Sequence, residues 1–314
     1  MKEIGGYFEL ELRKGREYHL NTIQLNSGRN CLEYILRVRN YKKIYIPYFT
    51  CDVILEPIQK LGISYEFYSI DKQLNPILKT ELKIDEVFLY TNYFGIKTAK
   101  VTELASTIKN LIIDNSQAFF SIPMVGVDTF YSARKFFGVP DGAYLYTNAR
   151  LEEEFEVDKS FDRVSHLLKR IDLGASNGYI DFKNNDLDLS GQPIKFMSKL
   201  TKSLLCNIDY EFVKERRIDN FNFLHKNLSD ENELNFELVI DSVPMVYPFL
   251  TKRLDLKQKL INNKIYVATY WPNVPEWCNE NQMENFLTNH LIHLPIDQRY
   301  SEKELEFIVN LIKL

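Results

Sequence analysis

Short apolar runs alternate with helical segments through residues 44–147, and this alternation limits the fold more than any other feature of the sequence. Six runs rich in Ile, Val, Tyr and Phe are predicted as strands: residues 44–47, 65–70, 86–90, 111–114, 128–131 and 143–147. Helical spacing of apolar residues marks a segment that starts near Cys31 and two others at 54–61, closed by Gly62, and 101–108. Repeated strand–helix–strand units predict an α/β fold with a mostly parallel sheet, which binds ligands at the carboxyl ends of its strands.

The second half of the chain has a different pattern. Residues 151–235 are charged and largely helical in character, and the Asn-, Asp- and Gly-rich segment 174–191 within them is predicted to be a loop. A second apolar block spans 236–270, and 301–314 has the pattern of a terminal amphipathic helix, with Ser301 as N-cap and a Glu three residues on. This half is predicted to contain a smaller C-terminal α/β domain.

Composition excludes several classes of function. The 314 residues are 45% hydrophobic, and their formal net charge of −4 gives no attraction to nucleic acid or to an anionic membrane. The four cysteines form no CxxC pair and the five histidines have no metal-ligand spacing, so neither a disulfide framework nor a metal site is predicted. No apolar run reaches the roughly 18 residues of a membrane span, and no signal-peptide pattern is present. We expect a soluble, cytoplasmic protein.

The start of the first predicted helix has the features of a phosphate site. Ser27 and Gly28 come directly before the helical spacing. The backbone N–H groups of Gly28, Arg29 and Asn30 therefore point outward at the positive end of the helix dipole, where a phosphate is favoured. A glycine-containing helix start with no ligand is the alternative that this segment leaves open.

Asp114 ends the apolar run 111–114 and emerges at the carboxyl edge of the predicted sheet. A carboxylate there can hold a pyridinium N–H, which keeps a cofactor ring protonated as an electron acceptor. A turn or N-cap aspartate after a strand is the alternative interpretation.

Lys135 follows the next strand, within the aromatic segment FYSARKFFG at residues 130–138. Aromatic neighbours and the adjacent Arg134 disfavour the ammonium form, and Schiff-base chemistry requires the neutral amine. A lysine whose head reaches solvent past these rings is the alternative. An early phosphate cradle, an aspartate at a strand end and a lysine about 20 residues later are together the parts of a pyridoxal phosphate (PLP) site. The sequence therefore predicts this cofactor.

Three segments of the chain resemble those of the DegT/DnrJ/EryC1/StrS family, the PLP-dependent sugar aminotransferases of fold type I. SGRNCL at 27–32 is similar to the family's Ser-Gly-Thr-x-Ala-Leu phosphate loop, and IDNSQA at 113–118 to its acidic strand end followed by Gln-Ala. FYSARK at 130–135 is similar to its Phe-Ser-x-x-x-Lys segment. The resemblance extends from about Ser27 to Asn148 and more weakly to the C-terminus.

The resemblance implies a role for each matching residue. Lys135 would form the internal aldimine and later transfer a proton, so it and Asp114 are the implied catalytic residues. Asp114 would pair with the pyridine nitrogen, and Gln117 would lie against the phenolic oxygen of the ring. The phosphate would be held by the hydroxyl of Ser132 and the backbone amides of Gly28, Arg29 and Asn30.

The resemblance also implies an overall architecture. An aspartate-aminotransferase-like chain of fold type I has a large cofactor-binding domain, here 1–205, and a small C-terminal α/β domain, here 206–314. The N-terminal 20 or so residues can pack with the small domain. Homodimers of this fold build each active site from both chains, and family members act in sugar and polysaccharide biosynthesis.

The implied activity is transfer of an amino group from glutamate or glutamine to a keto-sugar that is often nucleotide-linked. Two alternatives stay open: another PLP-dependent reaction of an amino acid, and a catalytically degenerate member with a structural role.

Two further features have less specific interpretations. Family members usually place an aromatic ring that stacks on the cofactor where this chain has Cys51, and Tyr48, Phe49 or Tyr93 could substitute for it. Arg216 and Arg217 lie on a predicted helix that starts near residue 210. The pattern favours an exposed helical surface for this pair over contact with a substrate phosphate.

Overall fold

The computed structural model describes residues 4–78, 81–236, 238–240 and 242–314. Within them, seven strands form one sheet in the order β1-β7-β6-β5-β4-β2-β3, and two more form a separate antiparallel hairpin, β8-β9. The strands are β1 (Ile23–Leu25), β2 (Lys43–Pro47), β3 (Ser64–Tyr68), β4 (Glu86–Thr91), β5 (Leu111–Asp114), β6 (Asp128–Ser132), β7 (Ala143–Tyr146), β8 (Val246–Leu250) and β9 (Leu291–Pro295).

Strands β3, β2, β4, β5 and β6 pair in parallel, whereas β7 pairs antiparallel with both β6 and β1. All six predicted runs are strands, and the mostly parallel sheet is confirmed. Every residue of β4 is buried, because both faces of the central sheet are covered. In register, Thr91 lies beside Asp114, and Asp114 beside Phe130, so the carboxyl ends of β4, β5 and β6 meet at one edge.

Helices cover the two faces of this sheet and continue through the second half of the chain. They are α1 (Gly28–Arg39), α2 (Leu55–Lys60), α3 (Thr98–Thr107), α4 (Ser165–Asp172), α5 (Tyr179–Asp188), α6 (Lys199–Cys206), α7 (Tyr210–Leu228), α8 (Leu256–Asn262), α9 (Val274–Trp277), α10 (Met283–His290) and α11 (Glu302–Lys313).

Helix boundaries follow the local signals that the sequence carries. The Ser27 side chain accepts a hydrogen bond from the Asn30 N–H and begins α1. Gly62, two residues after α2, has a φ of +64°, which fits its predicted place at a helix C-terminus. Ser301 and Glu304 form the predicted capping box of α11.

The predicted loop at 174–191 is wrong, because residues 179–188 form α5. Contacts distant in sequence stabilise this helix. The buried Asn185 side chain donates to the Pro140 carbonyl at 2.9 Å, and Lys169 of α4 donates to Asp181 at 2.7 Å. Turn-forming residues are therefore overruled by tertiary packing.

The apolar block 236–270 contributes β8, which pairs antiparallel with β9 and packs against α7. The N-terminal segment contacts this half of the chain, since the Arg13 N–H donates to the Asn207 side chain at 2.9 Å and Tyr18 packs on Tyr210. No helix in the described ranges is both long and apolar enough to cross a membrane.

Candidate functional site

Asp114 lies at the carboxyl edge of the sheet, as its place at the end of β5 predicts. Its carboxylate accepts a hydrogen bond of 2.8 Å from the Ser116 N–H. Burial raises the pKa of Asp114 above its ordinary 3.8, although the hydrogen bonds from Ser116 and the positive charge of Lys135 act in the opposite direction. A partly desolvated carboxylate of this kind gains most from a cationic N–H partner.

Lys135 lies at the same edge, at the end of a 3₁₀ turn that follows β6 directly. Its charge acts on the carboxyl group of Asp114 and on the thiol of Cys51, so Lys135 lies within electrostatic range of both groups. Phe136 and Phe137 are buried, but Lys135 itself is exposed in the single chain. The expectation that aromatic neighbours enclose this lysine is therefore wrong. Both rings lie in the core, and the lysine side chain lies at the surface.

The N-terminus of α1 reaches the same place. A Cβ added at Gly28 would lie 3.5 Å from the Ser116 Oγ and 3.7 Å from the Phe130 ring, so this backbone passes close to the Asp114 turn. The Asn30 N–H already donates to Ser27 Oγ at 3.2 Å. Among the described residues, the N–H groups of Gly28 and Arg29 have no such partner, so they are the amides that remain for an anion.

The side chains of Arg29 and Asn30 are anchored away from this edge. The Arg29 guanidinium donates to Glu56 at 2.8 Å, and the Asn30 amide donates to Asn26 at 2.9 Å and to the Pro193 carbonyl at 2.7 Å. Only backbone N–H groups of this turn are therefore placed to bind a ligand. Arg29, which stands at the threonine position of the family loop that this segment resembles, thus forms an ion pair with Glu56.

Gln117 and Ser132 are both buried at the same edge. The Gln117 Oε1 accepts from the Phe94 N–H at 3.1 Å, which fixes the side chain and leaves its NH₂ group to donate elsewhere. Within the described part of the chain, neither this NH₂ group nor the Ser132 hydroxyl has a hydrogen-bond partner. Both are therefore donors ready for an oxygen-rich ligand.

The aromatic residues that could replace the missing stacking ring are engaged elsewhere. Tyr48 stacks on Phe67 at 4.7 Å between ring centres, and the buried Tyr93 donates its hydroxyl hydrogen to the Phe49 carbonyl at 2.9 Å. Burial raises the pKa of the Cys51 thiol, and Lys135 opposes the shift. Cys51 of this segment therefore lies within electrostatic range of Lys135.

Several residues at the site were not singled out from the sequence. Ser116 lies between Asp114, to which its N–H donates, and Gly28 at the start of α1. The only feature of the sequence that could have indicated Ser116 is its place in the Asp-Asn-Ser-Gln turn. A cavity of about 500 Å³ extends from Lys135 toward the C-terminal half, with Arg217, Tyr270 and His293 in its wall. In the described ranges no group of three or more His, Cys, Asp or Glu side chains is placed to hold a metal ion.

No protein-family model matches the sequence, and no curated protein matches it either. Solved structures do match. DesV of S. venezuelae, determined with a ketimine intermediate, is 14% identical, with a TM-score of 0.66 over 93% of this chain and 84% of that one. The sugar aminotransferase CalS13 of Micromonospora echinospora is 14% identical, with a TM-score of 0.64 over 93% and 86%.

A DegT DnrJ EryC1 StrS aminotransferase from Brucella abortus is 16% identical, with a TM-score of 0.62 over 95% of this chain and 86% of that one. At such identities the likeness concerns the fold. The chain has the fold of these aminotransferases, so the predicted aspartate-aminotransferase-like fold of type I is confirmed, and the resemblance noted from the sequence holds at the level of structure.

Proposed function

We propose that this chain is a PLP-dependent aminotransferase in which Lys135 carries the cofactor. One observation supports this most directly: Asp114, Lys135 and the N-terminus of α1 come from distant parts of the sequence and meet at one edge of a parallel sheet. The aminotransferases that share the fold add support, because two of their structures are described as PLP and pyridoxamine phosphate forms.

The residues present fit PLP on grounds of their own. The phosphate would accept from the amides of Gly28 and Arg29 and from the Ser132 hydroxyl. The Asn30 amide, already bonded to Ser27, would contribute through the helix dipole. Gln117 would donate its free N–H to the phenolic oxygen.

The chain's own groups then divide the chemistry. When bound, PLP supplies a ring that withdraws electrons from the carbon bearing the amino group. Asp114 would hold the proton on the ring nitrogen, which its raised pKa and low hydration favour. The Nζ of Lys135 would bind the cofactor covalently and, once released from it, carry the proton between carbon atoms of the substrate and cofactor.

We further propose the substrates and setting that the sequence resemblance implies. The amino donor would be glutamate or glutamine, and the acceptor a keto-sugar, often nucleotide-linked. CalS13, which shares the fold, is described as a sugar aminotransferase. The protein would act in the cytoplasm as a homodimer whose partner chain covers the exposed Lys135, with a large domain of 1–205 and a small domain of 206–314. Light scattering of the purified protein tests the dimer.

The test of the cofactor is the absorbance spectrum after addition of PLP. The wild type is expected to show a visible band that borohydride removes, with a covalent adduct on the peptide containing Lys135. Lys135→Ala should show neither, while Lys109→Ala, a control at another exposed lysine, should behave as the wild type does. Identical spectra for the wild type and Lys135→Ala would refute the proposal.

Glutamate then tests the reaction. Conversion of the lysine-bound form to the pyridoxamine form, with release of 2-oxoglutarate, supports transamination. A bound cofactor that no amino donor converts would favour the other PLP-dependent reactions, and no binding at all would favour a structural role.

A further inference from the structure

A buried hydroxyl without a hydrogen-bond partner lies at the carboxyl edge of the sheet, where β4 ends. Thr91 is the last residue of β4 and is only 2% exposed. In the described part of the chain, no group forms a hydrogen bond with its buried Oγ1. Such a hydroxyl costs free energy, because folding removes its bonds to water and puts nothing in their place. Valine has the same shape and would avoid that cost, so the hydroxyl calls for a partner.

Thr91 is the neighbour of Asp114 across the sheet. In the parallel pairing of β4 with β5, Thr91 lies opposite Asp114 in register. Neighbouring strands lie about 4.8 Å apart, and successive side chains along each strand point to opposite faces. The hydroxyl therefore belongs to the residue beside the proposed partner of the ring nitrogen.

The face that both side chains share is the one that α1 covers. Along β4, Leu89 packs in the apolar cluster that contains α1, and Tyr90 packs in the cluster on the opposite face. The alternation places Thr91 on the α1 face. On β5, Ile112 packs in the cluster of α1, and Asp114 follows two residues later on the same face. Both polar groups thus point to the side of the sheet where the free amides of the α1 N-terminus lie.

Asp114 is held by hydrogen bonds from one side only. Its carboxylate accepts from the Ser116 N–H at 2.8 Å, in the turn that follows β5. Among the residues that the structure describes, none other than Ser116 forms a hydrogen bond with this carboxylate. Two carboxylate oxygens have about four acceptor positions, which leaves room for a ring N–H and for one more donor. The Thr91 hydroxyl, on the neighbouring strand and the same face, is the donor placed for that position.

We propose that Thr91 is a positioning residue for the cofactor, whose hydroxyl donates to the Asp114 carboxylate when this carboxylate is paired with the ring nitrogen. The inference rests on the proposed PLP function and adds one residue to it. Ser116 then holds Asp114 from the turn, and Thr91 holds it from the sheet. In this role Thr91 touches neither substrate nor reacting atoms, and it acts through Asp114.

Thr91→Val tests the proposal, because valine keeps the shape and removes the hydroxyl. The Tm of the PLP-free variant should rise by about 2 °C or more, since a buried group without a partner is lost. Affinity for PLP should fall about tenfold, as expected for one lost hydrogen bond to a charged group. A threonine with a merely structural role would lower the Tm when replaced, so the opposite signs of the two effects identify a positioning role.

A conservative variant and a double-mutant cycle complete the test. Thr91→Ser keeps the hydroxyl, so its affinity for PLP should stay within about threefold of the wild type. In an Asp114→Ala background, Thr91→Val should change that affinity by less than about twofold, because the acceptor of its hydrogen bond is gone. A tenfold change in that background as well would overturn the inference.

Thr129→Val is the matched control. Thr129 is a fully buried threonine of β6, and its hydroxyl donates to the Val127 carbonyl at 3.1 Å. It precedes Phe130, which packs in the cluster of α1, so it points to the opposite face of the sheet. Thr129→Val should lower the Tm of the PLP-free protein and leave the affinity for PLP within about twofold. If Thr91→Val and Thr129→Val had the same effect on both quantities, the positioning role would be refuted.

Pyridoxine phosphate separates this inference from the proposed function, because it has the ring nitrogen and the phosphate but no aldehyde to react with Lys135. In a calorimetric titration it should bind Thr91→Val about tenfold more weakly than the wild type. If PLP forms the borohydride-sensitive adduct on Lys135 and both ligands bind Thr91→Val as tightly as the wild type, the role of Thr91 is refuted and the cofactor assignment stands. If pyridoxine phosphate binds in a Thr91-dependent way and PLP forms no adduct, the role of Thr91 stands and the aminotransferase is refuted.

Discussion

Gly142 joins the two segments that carry the proposed cofactor residues. Its N–H donates to the Asn26 carbonyl at 2.8 Å, directly before the phosphate turn, and its carbonyl accepts from the Ala133 N–H at 3.1 Å, in the Lys135 turn. It has a φ of +112°, which residues with a side chain rarely adopt. We predict that Gly142→Ala both destabilises the protein and weakens binding of PLP.

The size of the effect follows from the surroundings of the missing Cβ. An alanine Cβ would lie 2.9 Å from Cγ2 of Thr201 and 3.2 Å from Cε of Met197. Met197 can move, but Thr201 lies in the first turn of α6 and is buried, and its hydroxyl donates a hydrogen bond to Asp141. Backbone strain of about 1–3 kcal/mol and overpacking of about 1–3 kcal/mol give a loss near 4 kcal/mol. At about 2–4 °C per kcal/mol, Tm should fall by roughly 10 °C.

Thermal unfolding followed by circular dichroism measures this loss, and Gly174→Ala is the matched control. Gly174 also has a positive φ, +86°, but a Cβ there meets nothing within 4 Å, so only the strain remains. Gly142→Ala should lower Tm by clearly more than Gly174→Ala does. It should also raise the Kd for PLP about tenfold or more, whereas Gly174→Ala leaves it unchanged. Equal falls in Tm for the two variants would refute the steric reasoning.

Three smaller predictions concern single side chains. Burial raises the pKa of Asp114 in the folded protein, so the ionised carboxylate destabilises the folded state above that pKa. Asp114→Asn should therefore raise the Tm of the PLP-free protein at pH 7, but not at pH 3, where the carboxyl group is protonated in both states. Ser132→Ala should weaken PLP binding roughly tenfold in a fluorescence titration. It should leave the Tm of the PLP-free protein unchanged, because no described residue forms a hydrogen bond with the Ser132 hydroxyl. Burial lowers the pKa of His19 to about 4, so the unfolded chain takes up its proton first. Between pH 6.5 and 4, urea unfolding should therefore lose about 3 kcal/mol that His19→Gln does not lose.

The central sheet could be predicted because its signals are local. A strand buried on both faces is a continuous apolar run, as in β4, and the strand–helix–strand order then determines which ends share an edge. This strand order is sufficient to predict that Asp114 and the N-terminus of α1 lie at that edge. The three-residue strand β1 has no such signal, since its pairing with β7 and not its length makes it a strand.

The parts that could not be predicted depend on contacts between distant segments. Which amides of the phosphate turn stay free depends on Ser27 accepting from Asn30, and which ring can stack depends on Tyr48 already facing Phe67. The helix α5 forms because Asn185 reaches Pro140, 45 positions away in sequence. Residue type and spacing do not predict these hydrogen bonds and ring contacts, because each needs a partner residue that comes close only when the chain is folded.

Arg216 and Arg217 show where a helical pattern carries more information than residue type. Tyr210 and Val213 are buried on one face of α7, and Arg217, four residues after Val213, is buried on the same face while Arg216 falls beside it, so the predicted exposed surface is wrong for Arg217. Counting from Tyr210 thus predicts a buried cation, whereas the Arg-Arg pair taken as a unit predicts a surface. Burying an arginine among carbonyls costs free energy that methionine or leucine at the same position would not. The contacts of Arg217 offset part of that cost, because its guanidinium donates to the Met245 carbonyl and lies over the Phe136 ring, and so links α7 to the residue before β8 and to the Lys135 turn.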